Sequence, residues 1–517
     1  MGQYSKYNLY YKEKYDGEQW VPVIPYEYYA EMVEEYSEDC GYVQPTGYSD
    51  YLTFEFLGDG LVQYGFCPDC ACPVYGDYTV RFSLDNGQTW SNGYQKITLS
   101  VHSGDTVMWK KANPLLDGFV ADFNDDVSWD KQAPFNVRGN IMSLRHGDNF
   151  TDKTVATGGM FRDLFRNCKV VDASGLILPA TTLGESSYET MFYGCKLMTK
   201  APQLPAMSLY KSCYKSMFEN CISLTQAPFV LPATTVPEEA YYRMFAGCTS
   251  LVTTPEINAL TIGKYGCYQM YDGCSNVTNV ANLKAMSVGN MGCYQMFQNC
   301  ISLTTAPQLP ATTLDIDCYW EMFIGCSSLT QAPTLPATTL AIGCYHSMFQ
   351  NCVSLTTAPS LPATTLANAC YRSMFEGCSS LTQVPSVLPA TNVIYRCYQS
   401  MFAGCTSLVQ APQLPATTLA ENCYEYMFSG CTSLVQAPIL PAKKLVKYCY
   451  FRMFEDCSNL KYIKMLATNI SAAYCLYWWV YMWGVFASSG TFVKDASMES
   501  LPSGVSGIPN GWTVQNE

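Results

Sequence analysis

A Met-Phe pair, or a close variant of it, returns along most of the chain at an interval that is always 26 or 27 residues. Its aromatic member falls at Phe165, Phe192, Phe218, Phe245, Tyr271, Phe297, Phe323, Phe349, Phe375, Phe402, Phe428 and Phe454. A marker this regular constrains the fold more than any composition can, because a unit of that length cannot bury an apolar face by itself and must stack on its copies. Where the interval is 27, the extra residue precedes the LPA segment, as at Ile177, Val230 and Val387. Insertions therefore collect in one loop and leave the rest in register.

One unit reads LPATTLANACYRSMFEGCSSLTQVPS. Within it Tyr371, Met374, Phe375 and Cys378 stand at i, i+3, i+4 and i+7, a spacing that predicts one buried face of a short helix. The following Ser-Leu-Thr stretch is extended in character, with Leu381 directed inward. The Pro after Ala, or after Thr254 and Val384 in two coils, recurs at 202, 228, 255, 307, 333, 359, 385, 412 and 438, where a ladder donor is missing and a strand must stop. The fold class predicted is an α/β leucine-rich-repeat-like solenoid of about 12 coils, each a helix followed by a strand. Five parts are read along the chain: an N-terminal attachment segment (1–47), a small antiparallel β domain (48–114), a linker and N-terminal cap (115–163), the solenoid (164–462) and a C-terminal cap (463–517).

The combination of LPATTL, CYxxMFxGC and SLTxAPxLPATTL resembles the BspA-type leucine-rich repeats abundant in gut Bacteroidales genomes and their phages. The ending SSGTFVKDASMESLPSGVSGIPNGWTVQNE is similar to the segment that commonly follows such arrays. The resemblance covers over half the chain. It implies the fold and a broad role in surface attachment or display, and it brings no active site.

Apolar residues make up 48% of the chain and charged ones 14%, which excludes disorder for its bulk. A net charge of −13 without clustered Lys and Arg argues against nucleic acid as a partner. The opening MGQYSKYNLYYKEKYDGEQW has no apolar run of signal-peptide length, and Tyr474 to Phe486 falls short of the roughly 20 residues a membrane helix needs, so a protein soluble as made, without membrane insertion, is expected.

In the β domain, SLDNGQTW matches the SxDxGxxW pattern of Asp-box hairpins, with Asp85 and Gly87 shaping the turn and Trp90 packing behind it. That motif marks a hairpin and brings no sialidase chemistry. The aromatic cluster Tyr474, Tyr477, Trp478, Trp479, Tyr481 and Trp483 is read as the seal on the last coil.

The chain holds 26 cysteines, twenty-two of them in the repeats. Most units carry two, eight apart, as Cys213 with Cys221 or Cys344 with Cys352. Cys267 with Cys274 and Cys293 with Cys300 are seven apart, and Ser187 and Ala240 replace the first one altogether. Fixed ligand or disulfide geometry would not tolerate that slip, so buried packing is the reading. A separate CPDCAC knuckle is a candidate metal site, with Cys67, Cys70 and Cys72 and a fourth thiolate from Cys40 able to hold a structural zinc; a loop of unliganded thiols is the alternative. No other cofactor is expected. Asp125 and Asp126 carry only a weak calcium signal.

Catalysis is not expected. His102, His146 and His346 fall in different parts of the chain, with no nucleophile paired to any of them. His346 is read as a solvated side chain at a variable position. LPATT lacks the Gly of a sortase signal and is internal.

If the core repeats, function belongs to exposed columns. The residue before Ala-Pro forms a polar, nearly uncharged strip that includes Gln226, Thr305, Gln331, Thr357, Gln383, Gln410 and Gln436, a row able to meet glycan hydroxyls. A second, heterogeneous column follows the repeat Tyr, with Arg243, Trp320, Glu321, His346, Arg372, Glu425, Tyr426, Phe451 and Arg452, and suits a protein contact. The resulting expectation is a phage virion fibre or host-attachment protein that docks on other virion proteins through its N-terminal region and binds a bacterial surface glycan or protein receptor. A bacterial cell-surface or secreted adhesin is the alternative. A homo-oligomer is compatible with either.

Overall fold

The structure is a computed structural model, and it describes residues 12–15, 20–23, 49–65, 79–94, 96–112, 122–124, 126–482, 489–498 and 500–517. The chain divides into two compact units: residues 1–213 with 221–234 and 255–258, and residues 214–220 with 235–254 and 259–517.

In the first unit, β1 (Lys12–Tyr15) and β2 (Trp20–Val23) pair antiparallel. A six-stranded sheet then combines β3 (Leu52–Phe56), β5 (Thr79–Ser83), β6 (Ser91–Tyr94), β8 (Thr106–Lys111), β9 (Phe135–Asn140) and β10 (Gly175–Ile177), while β4 (Gly60–Gly65) pairs with β7 (Lys96–Val101). All pairings of the six-stranded sheet are antiparallel except the last, where β10 lies parallel to β9. That change of direction is the passage from hairpin domain to repeat. Phe165, the first marker aromatic, stacks on Phe123 at 5.6 Å and 10° and meets Phe54 at 5.9 Å, so the β domain's own aromatic core covers the open face of the first coil. The Asp-box hairpin forms as read: Asp85 accepts hydrogen bonds from the Thr89 backbone N–H (2.8 Å) and hydroxyl (2.6 Å), Gly87 sits at φ 84°, and Trp90 Nε1 donates to the Gly87 carbonyl at 3.2 Å. Those donors, Thr89 first, hold the Asp85 carboxyl down at about 2.

The 26-residue coils are present throughout residues 162–482, but the predicted helix is not. The only α-helix among the described residues is Ser143–His146, outside the repeat units. Where the helix was expected the chain makes a run of linked turns. Backbone N–H groups alternate in destination: Arg372, Met374 and Glu376 donate back three residues to Ala369, Tyr371 and Ser373, while Tyr371, Ser373, Phe375 and Gly377 donate to Cys397, Gln399, Met401 and Ala403 of the next coil at 2.8–3.0 Å. Every fourth residue takes a left-handed conformation, Ala369 at φ 55°, Ser373 at 51° and Gly377 at 75°. Each non-glycine residue so placed costs about 1–2 kcal/mol, and the bond each run sends across the coil boundary offsets it.

The physical reason lies in the backbone bonding. Side chains are buried in doublets, Cys370-Tyr371 and Met374-Phe375, followed by Cys378. At 3.6 residues per turn those five would fall within about 140° of arc, so a helix would bury them equally well. A helix commits its interior N–H groups to its own carbonyls, whereas here alternate ones reach the next coil. The four residues at helical spacing are all buried as expected, and Cys370 joins them.

Extended segments contribute only short parallel contacts. Single bridges join Gln331 to Thr357 and Thr357 to Gln383, and a second row pairs Thr235–Val236, Thr261–Ile262, Ser287–Val288 and Thr313–Leu314. Prolines between the two rows keep the ladders short. Inside the second unit, marker aromatics stack ring on ring, as Phe297 on Phe323 at 5.6 Å and Phe402 on Phe428 at 5.7 Å. The stack ends where Trp479, fully buried, stands at 63° to Phe454 and donates from Nε1 to the Gly507 carbonyl at 2.8 Å. A parallel three-stranded sheet of Tyr462–Met465, Thr491–Lys494 and Thr513–Asn516 continues beyond it. The aromatic seal thus rests on Trp479. Tyr474 and Tyr477 lie exposed on the turn wall instead, and Trp483 is outside the described residues.

Candidate functional site

Two columns run along the coils, the first exposed and the second half-buried. The polar strip is where the sequence placed it. Gln226, Thr305, Gln331, Thr357, Gln383, Gln410 and Gln436 are all exposed, and parallel bridges set Thr305 beside Gln331, Thr357 beside Gln383 and Gln410 beside Gln436. Neighbouring Thr side chains turn back on the backbone, Thr330 Oγ1 donating to the Thr304 carbonyl at 3.1 Å and Thr382 Oγ1 to that of Thr356 at 3.3 Å. They fix the row, and the strip residues beside them face solvent. At Thr357 and Gln383 the strip borders an open groove of about 420 Å³ lined by Pro359, Pro362, Pro385 and Pro389, which includes the inserted Val387.

The second column resolves into two. At the residue after the inward Tyr position stand Tyr242, Tyr268, Tyr294, Trp320 and His346 in consecutive coils. The first three stack at 4.7 Å with 3° and 15° between planes, Trp320 turns to 89° against Tyr294, and Trp320 and His346 are again parallel within 10° at 4.9 Å. One residue further on, at a left-handed position, Arg243, Gln269, Gln295 and Glu321 form a ladder in which each donates to the next. Arg243 also pairs with Glu219 at 3.0 Å and Asp272 at 3.6 Å.

His346 is not the solvated side chain expected. It lies half-buried under Trp320, and burial, with Arg372 beside it, lowers its pKa to about 4 and keeps the imidazole neutral. Tyr242, Tyr268 and Tyr294 were missed. For Tyr268 and Tyr294 the signal was the seven-residue cysteine interval: Cys267 and Cys293 occupy the inward Tyr slot, Gly266 and Gly292 fill the place before it, and the tyrosine moves one position outward. A Cβ on Gly266 would meet Ile262 Cγ2 at 2.9 Å, and one on Gly292 would meet Val288 Cγ1 at 2.8 Å, so those branched neighbours take the space that Cys fills elsewhere.

All twenty-two described cysteines are buried free thiols. The invariant member of each pair donates to the marker aromatic's carbonyl one coil back, as Cys326 Sγ to Phe297 at 3.0 Å and Cys378 Sγ to Phe349 at 3.1 Å. Burial pushes the Cys326, Cys378 and Cys431 thiols up to about 12, which keeps each S–H a donor. Cys40, Cys67, Cys70, Cys72 and Asp125 lie outside the described residues, and the described ones hold no cluster of three or more His, Cys, Asp or Glu side chains placed to bind a metal. His102 lies 3.6 Å from Asp105, and His146 sits in the short helix, its pKa lowered by burial; neither approaches a nucleophile in these contacts.

A coil closed by linked turns, with apolar ladders inside and no helix among the described repeat residues, defines a leucine-rich-repeat solenoid. The model of the BspA type leucine rich repeat region matches in overlapping stretches, residues 162–278, 186–330, 245–382, 290–412 and 371–476, which together exceed half the chain. The chain belongs to the BspA-type leucine-rich repeat family. Among solved structures it is similar to a leucine-rich repeat protein from Bacteroides ovatus (17% identity, 62% of this chain and 84% of that one, TM-score 0.32) and to one from Eubacterium ventriosum (13%, 74% and 91%, 0.28). A TLR13–ssRNA13 complex also matches (12%, 68% and 52%, 0.26). Scores this low add nothing to the fold argument. No curated protein matches the chain.

Proposed function

We propose that this chain is a non-catalytic adhesion protein whose coils present the polar strip to a bacterial surface glycan or protein receptor, and that it serves as the host-attachment or fibre protein of a phage particle. The observation that carries the adhesive reading is the strip: exposed amide and hydroxyl side chains repeated in register on a bridged backbone, beside a proline-lined groove at Thr357 and Gln383. Such a row offers a donor and an acceptor at every coil without the cost of ordering a loop. Docking onto other virion proteins falls to the N-terminal region. The second reading, a bacterial cell-surface or secreted adhesin, draws support from family membership and uses the same strip.

Replacing Gln331, Thr357 and Gln383 together with Ala is expected to reduce adsorption to host cells severalfold while leaving the melting temperature unchanged, since exposed side chains contribute little to stability. Unchanged adsorption would move recognition off the strip. Mass spectrometry of purified particles separates the two settings: recovery in particles supports the phage role, and exclusive recovery with bacterial envelopes supports the adhesin.

A further inference from the structure

The polar strip has an opposite bank. In each of four consecutive coils the strip residue is exposed, the next two are buried or half-buried, and the one after them is exposed again. The strip members there are Thr305, Gln331, Thr357 and Gln383, joined by parallel bridges without a gap. The recessed pairs are Ala306-Pro307, Ala332-Pro333, Ala358-Pro359 and Val384-Pro385. Beyond them stands a second polar row, Gln308, Thr334, Ser360 and Ser386, in which Thr334 Oγ1 donates to Gln308 Oε1 of the coil before at 3.3 Å. In the coils of Thr357 and Gln383 the open groove of about 420 Å³ takes its lining from both rows and from the pairs between them. Together these make a trough along the stacking direction, with an apolar floor and an amide or hydroxyl on each bank at every coil.

The spacing of the coils selects an occupant. Bridged strands lie about 4.8 Å apart, close to the length of one pyranose ring from O1 to O4. An extended peptide repeats its same-side groups at roughly 6.6 Å and falls out of step within two coils. A polyproline helix is held by aromatic grooves, whereas this floor is Ala, Val and Pro. A flat pyranose has carbon–hydrogen faces and a rim of hydroxyls, which match the floor and the two banks. Where both linkage oxygens are equatorial and opposite each other, as in a β-1,4 chain of glucose or N-acetylglucosamine, the polymer runs straight and successive rings are turned over. What meets a given bank then alternates with a period of two. The strip alternates likewise, Thr, Gln, Thr, Gln.

We propose that the trough binds a linear β-1,4-linked glycan lying along the solenoid, one pyranose per coil from Thr305 to Gln383, an inference that rests on the strip being the recognition surface. Among the described residues the run of bridges stops at Gln383, in the coil that carries the inserted Val387, so four rings fill it.

The test titrates the full chain with β-1,4 oligomers of glucose and of N-acetylglucosamine, two to six rings long, and reads binding by calorimetry. Glucose oligomers with α-1,4 and β-1,3 linkages and a proline-rich dodecapeptide are the comparisons. One β-1,4 series is expected to bind, its dissociation constant falling about tenfold from two rings to four and levelling off beyond, with the bent linkages at least about tenfold weaker. Changing Gln308, Thr334 and Ser360 together to Ala, on the bank outside the strip, should weaken the tetramer about fivefold with the melting curve unchanged. Affinity that ignores chain length or keeps growing past four rings, equal binding of a bent linkage, indifference to the second bank, binding of the peptide alone, or no binding on the panel would each overturn the proposal. Strip-dependent adsorption to host cells without β-1,4 binding leaves the adhesive reading standing and sinks only this one, whereas β-1,4 binding with adsorption indifferent to the strip does the reverse.

Discussion

Single residues carry two unusual duties in this molecule, and each exposes it to a specific failure. The first is the left-handed position that returns every four residues. At Ser400, φ is 55° and the N–H donates to the Glu425 carbonyl at 2.8 Å, so the backbone cannot relax without losing the link between coils. Ser400→Val is expected to destabilise by about 1–2 kcal/mol and Ser400→Gly by little or nothing, read as urea midpoints. The second duty is that of the buried thiols. They should stay unreactive toward an aromatic disulfide reagent at pH 8 in the native protein and all react once it is unfolded. Burial raises the pKa values of Cys378 and Cys431 on folding, so the stability these two carry is complete below the unfolded thiol's pKa, near 8.5–9, and drains away as pH climbs toward about 12, where they ionise in the folded state. An alkaline unfolding transition that begins above pH 9 is the expected outcome, checked by circular dichroism against pH. Replacing the thiols of two neighbouring coils with Ala should make it shallower.

At the scale of the element, the sequence made some features plain and disguised others. The coil length, the single loop that accepts insertions and the polar strip were legible because each is written as a spacing or as a residue type at a fixed offset. The conformation of the turn wall was not. Tyr371, Met374, Phe375 and Cys378 satisfy a helical template, and Cys370, four residues before Met374, satisfies it too, so the burial pattern alone does not separate a period of four from one of 3.6. Left-handed residues gave no warning either, since Ser373, Gln295 and Arg452 occupy them alongside Gly377 and Asn351. Hydrogen bonds to the next coil override local preference there, a tertiary effect that a propensity cannot anticipate. The aromatic column was half visible: Trp320 and His346 stood out by type, while Tyr268 and Tyr294 needed the realisation that a cysteine had taken their inward place.

For the molecule as a whole, the significant fact is that the backbone bonds of the described turn wall join each coil to its neighbours, with coil-skipping ion pairs such as Lys443–Asp495 placed at the C-terminal end. Removing residues 353–378, one unit, joins Cys352 to Ser379 and keeps every column in register. That variant is expected to fold with a cooperative melt close to the parent's, whereas removing residues 353–365, half a unit, should leave an aggregating or partly unfolded protein. Size-exclusion chromatography and thermal melts distinguish the outcomes.

The alternation of backbone donors has a mechanical side as well. In the coils from 369 to 405, every second amide of the turn wall points along the stacking direction, and no bond skips a neighbour. A load applied along that direction meets these links one after another, in series. Such a stack pays out length in instalments, each coil of 26 residues releasing roughly 90 Å when drawn straight. A protein that holds a particle or a cell against moving fluid would then lengthen before it let go.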